Sequence, residues 1–225
     1  MTMLADSVLG LFAKWPAPGQ VKTRLAAETS PEFASAVAAA FLEDSIERLA
    51  AIPARRVLAY SPVDALPRFA AVVRDRFELV PQCSGDLGTR MTDFFRDRFA
   101  EGAQRVVLLG TDSPTLPLGN VTMAFHSLGS ADVVIAPATD GGFCLVGVTP
   151  NMPPLFAGVK FSRADVLTQT LANLAGAKLS LLYPWYDIDT HDDWLMLRGH
   201  LAAYRAIGAN IGAPRTEQLA RESSV

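Results

Sequence analysis

The sequence predicts one α/β domain built on a mostly parallel, mixed sheet. Near-continuous apolar runs such as VLGLF, RVVLLG and ADVVIAP end in loops rich in glycine, proline and aspartate. Segments with helical spacing lie between most of these runs. At residues 140–141, however, one strand follows another with no room for a helix. Apolar strands alternating with helices imply a sheet covered on both faces, and the direct step implies an antiparallel member.

The elements follow in order. Val8 to Phe12 forms the first strand, and Lys22, Thr23 and Arg24 begin a helix after the loop that follows it. In SPEFASAVAAAFLEDSIERLAAIP, Ser30 suits an N-cap, Pro31 the first helical position and Glu32 the positive helix end. Phe33, Val37, Phe41, Leu42, Ile46 and Leu49 recur at helical spacing. Strands are expected over 55–61 and 77–82. A helix is expected over 86–102, with Leu87, Met91, Phe94, Phe95 and Phe99 on one face. A strand from 105 breaks at Gly110, a helix spans about 118–128, and strands occupy 131–140 and 141–148. A helix over 162–175, a strand in LSLLYPW and a helix over 191–208 close the fold, with Thr190 or Asp192 capping the last helix. Residues 1–210 are read as the domain. Residues 211–225 are read as a tail without a clear partner, frayed from the rest.

The chain has 225 residues, within the range of one α/β unit. Half of them are hydrophobic, and the net charge is −3. That balance gives no reason to expect a nucleic acid or anionic membrane partner. No apolar run approaches the length of a membrane span. Asp6 interrupts the N-terminal stretch, so no signal peptide is read, and two distant cysteines without CxxC spacing suit a reducing cytoplasm.

In such sheets ligands sit beyond the carboxyl ends of the strands. The first of these loops, AKWPAPGQVKTRL, gathers Lys14, Lys22 and Arg24 around Pro16, Pro18 and Gly19. Cations beside the exposed N–H groups of a helix start suit phosphates better than a merely solvated turn. It is neither a P-loop nor GxGxxG, which disfavours the nucleotide folds marked by those motifs and a dehydrogenase in particular. In GTDSPTLP, Asp112 follows a buried strand and can hold Mg²⁺ or Mn²⁺ against phosphate oxygens; otherwise Asp112 or Ser113 caps the next helix. In PATDGGF, Asp140 with Gly141 and Gly142 offers a base or acceptor beside close backbone approach, or simply a hairpin turn. In WYDIDTHDDW, Asp187 and Asp189 project to one side of an extended segment, so that one of them can complete the metal site.

Taken together, AKWPAPGQVKTRL, QCSGDLGTRM, LLGTDSPTLP, APATDGGFCLVGV and YDIDTHDDW resemble a bacterial family of GT-A fold, DUF2064, over about residues 8 to 197. This family is related to sugar nucleotidyltransferases and bacterial guanylyltransferases. The resemblance implies a GT-A/Rossmann-like three-layer sandwich. It further implies that Lys14, Gly19, Lys22, Thr23 and Arg24 hold nucleotide phosphates and that Gln82 and Gly88 contact the base, with Arg90 nearby. Asp112 then binds the metal with Asp187 or Asp189, and Asp140, Gly141 and Gly142 face the acceptor. Members usually read W-S-T where this chain has Phe161-Ser162-Arg163, and the charge of Arg163 suits an acidic acceptor. They usually read D-T-P-E-D where this chain has Asp189-Thr190-His191-Asp192-Asp193, which removes a helix-start proline.

The expected activity is metal-dependent glycosyl transfer from a nucleotide-diphosphate sugar to a small-molecule acceptor, with Asp140 as base and Lys22 and Arg24 stabilising the leaving nucleotide. The alternative is nucleotidyl transfer from a nucleoside triphosphate to a phosphorylated acceptor with pyrophosphate release. A catalytically idle nucleotide sensor is a third reading. The sequence leaves base, sugar, acceptor and oligomeric state open.

Overall fold

A computed structural model describes residues 6–223. Seven strands form one sheet in the order β3-β2-β1-β4-β6-β5-β7. They are β1 (Ser7–Lys14), β2 (Arg55–Ser61), β3 (Glu78–Pro81), β4 (Arg105–Leu109), β5 (Val133–Pro137), β6 (Phe143–Val148) and β7 (Leu179–Leu181). β1 lies between β2 and β4, parallel to both, and β6 runs antiparallel to β4 and β5. The antiparallel member implied by the 140–141 step is therefore β6.

Alternation along β1 builds the two faces. Leu9, Leu11 and Ala13 enter a core with Leu42, Ile46 and Leu49 of α2 (Pro31–Leu49), Phe69 of α3 (Leu66–Val73) and Phe125 of α5 (Leu118–Ser127). Val8 and Phe12 face the other side. There they meet Met91, Phe94 and Phe95 of α4 (Leu87–Ala100) and Leu167 and Leu171 of α6 (Val166–Ala172). Gly10 shares that face, and a Cβ there would stand 2.6 Å from the Phe94 ring, so the glycine lets α4 lie close to the sheet. A third cluster joins Leu25 of α1 (Thr23–Glu28), Val37 and Phe41 of α2, and Trp194, Leu197 and Leu201 of α7 (His191–Ala206). The apolar side of the last expected helix thus packs internally.

Caps sit where local chemistry places them. Ser30 Oγ accepts from the Phe33 amide at 3.0 Å, Asp86 accepts from the Thr89 amide at 2.8 Å, and Thr190 with Asp193 closes a reciprocal capping box. Three helices depart from expectation. α6 starts at Val166, four residues after the expected 162, and Ser162 sits at φ 62°. α3 was not foreseen, because Pro62 and Pro67 make the stretch read as loop, yet Pro67 lies in the first helical turn, where its missing N–H costs nothing. The expected free tail is corrected more sharply: Pro214–Glu222 forms α8, packed on α2. Fully buried Asp44 of α2 accepts from the Thr216 amide at 2.8 Å and the Thr216 hydroxyl at 2.7 Å, satisfying donors at the start of α8. Arg215 adds ion pairs to Glu43 and Glu47 at 2.7 and 2.8 Å. Among the described residues no helix is long and apolar enough to cross a membrane.

Candidate active site

The strand order reverses between β1 and β4, since β2 and β3 lie on one side of this pair and β6, β5 and β7 on the other. The carboxyl ends of β1 and β4 therefore diverge into separate loops and leave a crevice. A cavity of about 500 Å³ opens there. Its wall carries Lys14, Lys22 and Arg24 from the first loop, Asp112 and Ser113 after β4, Asp140 and Gly142 of the hairpin, Arg163, and Asp187 and Asp189 before α7.

Lys22 is the centre of the charge arrangement. Its backbone adopts φ 47° and ψ 45°, a left-handed conformation uncommon for a residue with a Cβ, and it supplies no side-chain cap to α1. The side chain is only 5% exposed, and its ammonium pairs with Asp112 Oδ1 and, at 3.2 Å, with Asp189 Oδ1. Burial alone would lower its pKa, but the charges of Asp112 and Asp189 outweigh that and hold it above the usual lysine value. Arg24 is more than half exposed and reaches Asp189 Oδ2 at 3.6 Å. Lys14 folds over its own loop to donate to the Gln20 carbonyl at 2.8 Å.

The acidic side is assembled from two segments pinned backbone to backbone, the Ile188 amide donating to the Asp112 carbonyl at 3.0 Å. Ser113 Oγ donates to Asp187 Oδ1. Trp185 Nε1 donates to Thr115 Oγ1 at 3.2 Å, and that hydroxyl donates to Tyr186 OH at 3.0 Å, so the two segments are also tied through side chains. Burial pushes the Asp187 carboxyl up to about 6, aided by the charges of Asp112, Asp140 and Asp189 and opposed by the Ser113 hydrogen bond.

The hairpin has a tight geometry. Asp140 Oδ1 accepts from the Gly142 amide at 2.8 Å, which makes it a turn-former that still borders the cavity. Gly141 sits at φ 92°, and a Cβ there would meet the Ala164 carbonyl oxygen at 2.0 Å, so only glycine lets the hairpin lie against the segment carrying Arg163. Arg163 pairs with Asp165 at 2.9 Å.

Several expected nucleotide contacts are placed differently. Gly88 is buried against Phe156 and Phe161, 3.1–3.2 Å from where a Cβ would stand, and does not border the cavity. Its small size serves helix packing. Gln82 borders the cavity, but its amide donates to the Ala59 carbonyl at 2.8 Å and so ties its loop to β2. Arg90 bonds the Gly85 carbonyl at 2.9 Å and lies outside the cavity wall, as do Gly19, Thr23 and Gly141. Ser113 and Arg48, which braces the Asp112 loop from α2, went unnoticed as site residues because their partners are distant in sequence.

Among the described residues no three acidic, histidine or cysteine groups meet closely enough to cage a metal, and Asp189 is turned to Lys22 and Arg24 instead. A protein-only cage of Asp112, Asp187 and Asp189 is not formed. The donor set still fits Mg²⁺ or Mn²⁺, because such ions are commonly held by one or two carboxylates together with substrate phosphates. Asp112 and the half-buried Asp187, whose charge desolvation and its acidic neighbours disfavour, suit that arrangement.

Comparison with known proteins places these features in a lineage. The bacterial family DUF2064, described as an uncharacterized protein conserved in bacteria, matches residues 45–163, just over half of the chain. The chain belongs to this family. One relative is the 3-phospho-D-glycerate guanylyltransferase of Phenylobacterium zucineum strain HLK1, 34% identical over 141 residues; the match covers 59% of this chain and 62% of that protein. A crystal structure from Desulfovibrio desulfuricans G20, of a protein named for nucleotide-diphospho-sugar transfer, superposes with a TM-score of 0.87 at 30% identity, covering 97% of this chain and 98% of the other. The 4-diphosphocytidyl-2C-methyl-D-erythritol synthase of Anaerococcus prevotii DSM 20548 shares the fold, with a TM-score of 0.56 at 10% identity over 88% of this DUF2064 chain and 99% of its own.

Proposed function

We propose that this DUF2064 protein is a nucleotidyltransferase that joins the nucleoside monophosphate part of a nucleoside triphosphate to a small phosphorylated acid. The observation that carries this is the gathering, at one cavity, of Lys14, Lys22 and Arg24 with Asp112 and Asp187, and with Arg163 on the wall beside the hairpin. The guanylyltransferase relative supports the choice and supplies the first base and acceptor to test, GTP and 3-phosphoglycerate.

In this reaction an oxygen of the acceptor phosphate attacks the α-phosphorus. The bridging α–β P–O bond breaks, and pyrophosphate leaves with the bonding electrons. Lys14 and Arg24 bind the β- and γ-phosphates and neutralise the charge that grows on them. Lys22 stands where it orients Asp112 and Asp189. Arg163 attracts the anionic acceptor, and the hairpin held by Gly141 orients it against the nucleotide. A divalent cation held by Asp112 and Asp187 would supply further neutralisation of the phosphate oxygens.

Glycosyl transfer is the second reading, favoured by the position of Asp140 at the cavity wall, where it can serve as base to an acceptor hydroxyl. One assay separates the two. Purified protein with Mn²⁺ is given GTP and 3-phosphoglycerate, or GDP- and UDP-sugars with phosphorylated and hydroxyl acceptors. Acceptor-dependent pyrophosphate release supports the proposal; release of GDP or UDP in its place overturns it in favour of glycosyl transfer. Thermal stabilisation by nucleotides with no product in either series also overturns it and supports the sensor reading. Asp112→Ala is expected to lower turnover by about a hundredfold or more while the far-ultraviolet circular dichroism stays unchanged.

A further inference from the structure

We infer that Lys22 is the resident counter-ion of the acidic pocket, so that a divalent cation enters only as a metal–nucleotide complex and the free metal is refused. This rests on the reading of Asp112 and Asp187 as metal-holding groups, but it concerns what the site does before any substrate arrives.

The geometry supports it from three directions. First, the ammonium lies between Asp112 and Asp189 and contacts both, so the positive charge that these carboxylates require is already present. Second, the position is built rather than incidental. Its side chain is 5% exposed, packs its charge 5.6 Å from the Phe41 ring centroid, and leaves from a left-handed backbone. A non-glycine residue persists there only when surrounding contacts over-determine it, and the Lys22 side chain contacts those two carboxylates and that ring. Third, the remaining cations of the cavity do not substitute for it. Arg24 is more than half exposed and reaches only Asp189, Arg163 is held by Asp165, and Lys14 is turned to the Gln20 carbonyl.

Electrostatics then sets the order of binding. A bare divalent ion approaching Asp112 meets a fixed positive charge and must displace it or share its ligands. A nucleotide complex carries excess negative charge. It gives the ammonium new oxygen partners while its metal takes over Asp112, and Asp189 keeps Arg24. The site is in this sense selective for a polyphosphate with its cation, against either alone.

The test uses Mn²⁺ as probe, its binding followed by water-proton relaxation or the loss of free-ion electron paramagnetic resonance signal. Lys22→Met removes the charge with little change of shape; Lys22→Gly removes the charge and also relieves the left-handed backbone; Lys22→Arg keeps the charge. The wild-type chain is expected to bind Mn²⁺ alone weakly, and both neutral variants about tenfold or more tightly, with Arg resembling wild type. Addition of GTP should raise Mn²⁺ affinity in wild type far more than in Lys22→Met. A gain of affinity on removing a side chain is not what loss of fold produces, and the glycine variant repeats the measurement with a relaxed backbone. The inference is overturned if wild type binds Mn²⁺ alone as tightly as the neutral variants, or if the neutral variants bind it more weakly. Because no turnover is measured, failure of nucleotidyl transfer in the assay above leaves these outcomes readable, and the reverse also holds.

Discussion

Arg48, in the last turn of α2, donates through its guanidinium to the carbonyl of Leu116 at 2.9 Å and also to that of Pro114. A helix on one face of the sheet thereby braces the loop that presents Asp112 and Ser113 to the cavity. The loop cannot satisfy those carbonyls itself, since Pro114 and Pro117 interrupt any regular ladder and Pro114 to Leu116 are buried.

Arg48→Met should therefore loosen the loop more than the helix. The expected loss of stability is about 2 kcal/mol, for two charge-assisted bonds whose acceptors stay buried. Hydrogen exchange should quicken at the amides of Leu116 and Ile188, which close the loop onto Ser113 and Asp112, while central α2 amides stay protected. Lys at this position is expected to restore less than half, because a single ammonium cannot reproduce the planar fork. Uniform acceleration across α2 and the loop would show that Arg48 acts only through the helix.

Gly141→Ala tests the hairpin clamp. With a Cβ 2.0 Å from the Ala164 oxygen and a positive φ, alanine cannot be accepted without moving either the hairpin or residues 162–167. The expected cost is about 2–4 kcal/mol by urea titration, combining backbone strain with overpacking. Gly142→Ala, whose Cβ would meet only the Asp140 carboxylate at 3.2 Å, should cost less than half of that. Equal costs at the two positions would mean that the turn itself, and not its contact with Ala164, demands glycine.

What could be read in the chain divides along a physical line. The starts of α2 and α7 were legible because Ser30 and Thr190 act on amides three residues away, and α4 was legible from the helical spacing of Leu87, Met91, Phe94, Phe95 and Phe99. The sheet was legible because burial on both faces leaves continuous apolar runs, and the meeting of Lys22 with Asp112 followed from the rule that strand ends converge. α8 was missed because its start is satisfied by Asp44, 172 residues from Thr216; the Glu217–Arg221 pair at helical spacing was the available signal. Gly88 carried a base contact by resemblance, whereas its neighbours Phe156 and Phe161 reveal a packing role that no local pattern announces. Likewise Ser113 reads from the local sequence only as a cap, because its partner Asp187 comes from a segment that tertiary structure alone brings near.

Asp44→Ala should release the C-terminal helix. The change leaves the hydroxyl and amide of Thr216 without their buried acceptor and removes one partner of Arg215, with an expected cost of about 2–4 kcal/mol. Trypsin should then cut at Arg215 and Arg221 under native conditions well before it attacks the sheet core, whereas wild type resists at Arg215. Parallel resistance in both proteins would show that Ile211 and Leu219, packed on the third cluster, hold α8 without the carboxylate.

The two cysteines should differ in reactivity despite both being free thiols. Burial, with the nearby Asp187 charge adding to it, pushes the Cys144 thiol up to about 12. Burial also raises Cys83, with Asp93 contributing, but Cys83 is half-buried while Cys144 is buried. The thiolate is the reactive form, so Cys144 stays almost wholly protonated at pH 8. Iodoacetamide at pH 8 should therefore alkylate Cys83 slowly and leave Cys144 intact until denaturant is added, as read by intact mass and peptide mapping. Raising the pH toward 10 increases the thiolate fraction of both without reversing their order. Native Cys144 labelling as fast as that of Cys83 would mean that the cavity wall at β6 opens to solvent far more than its packing against the Ala136 carbonyl, 3.5 Å from the sulfur, implies.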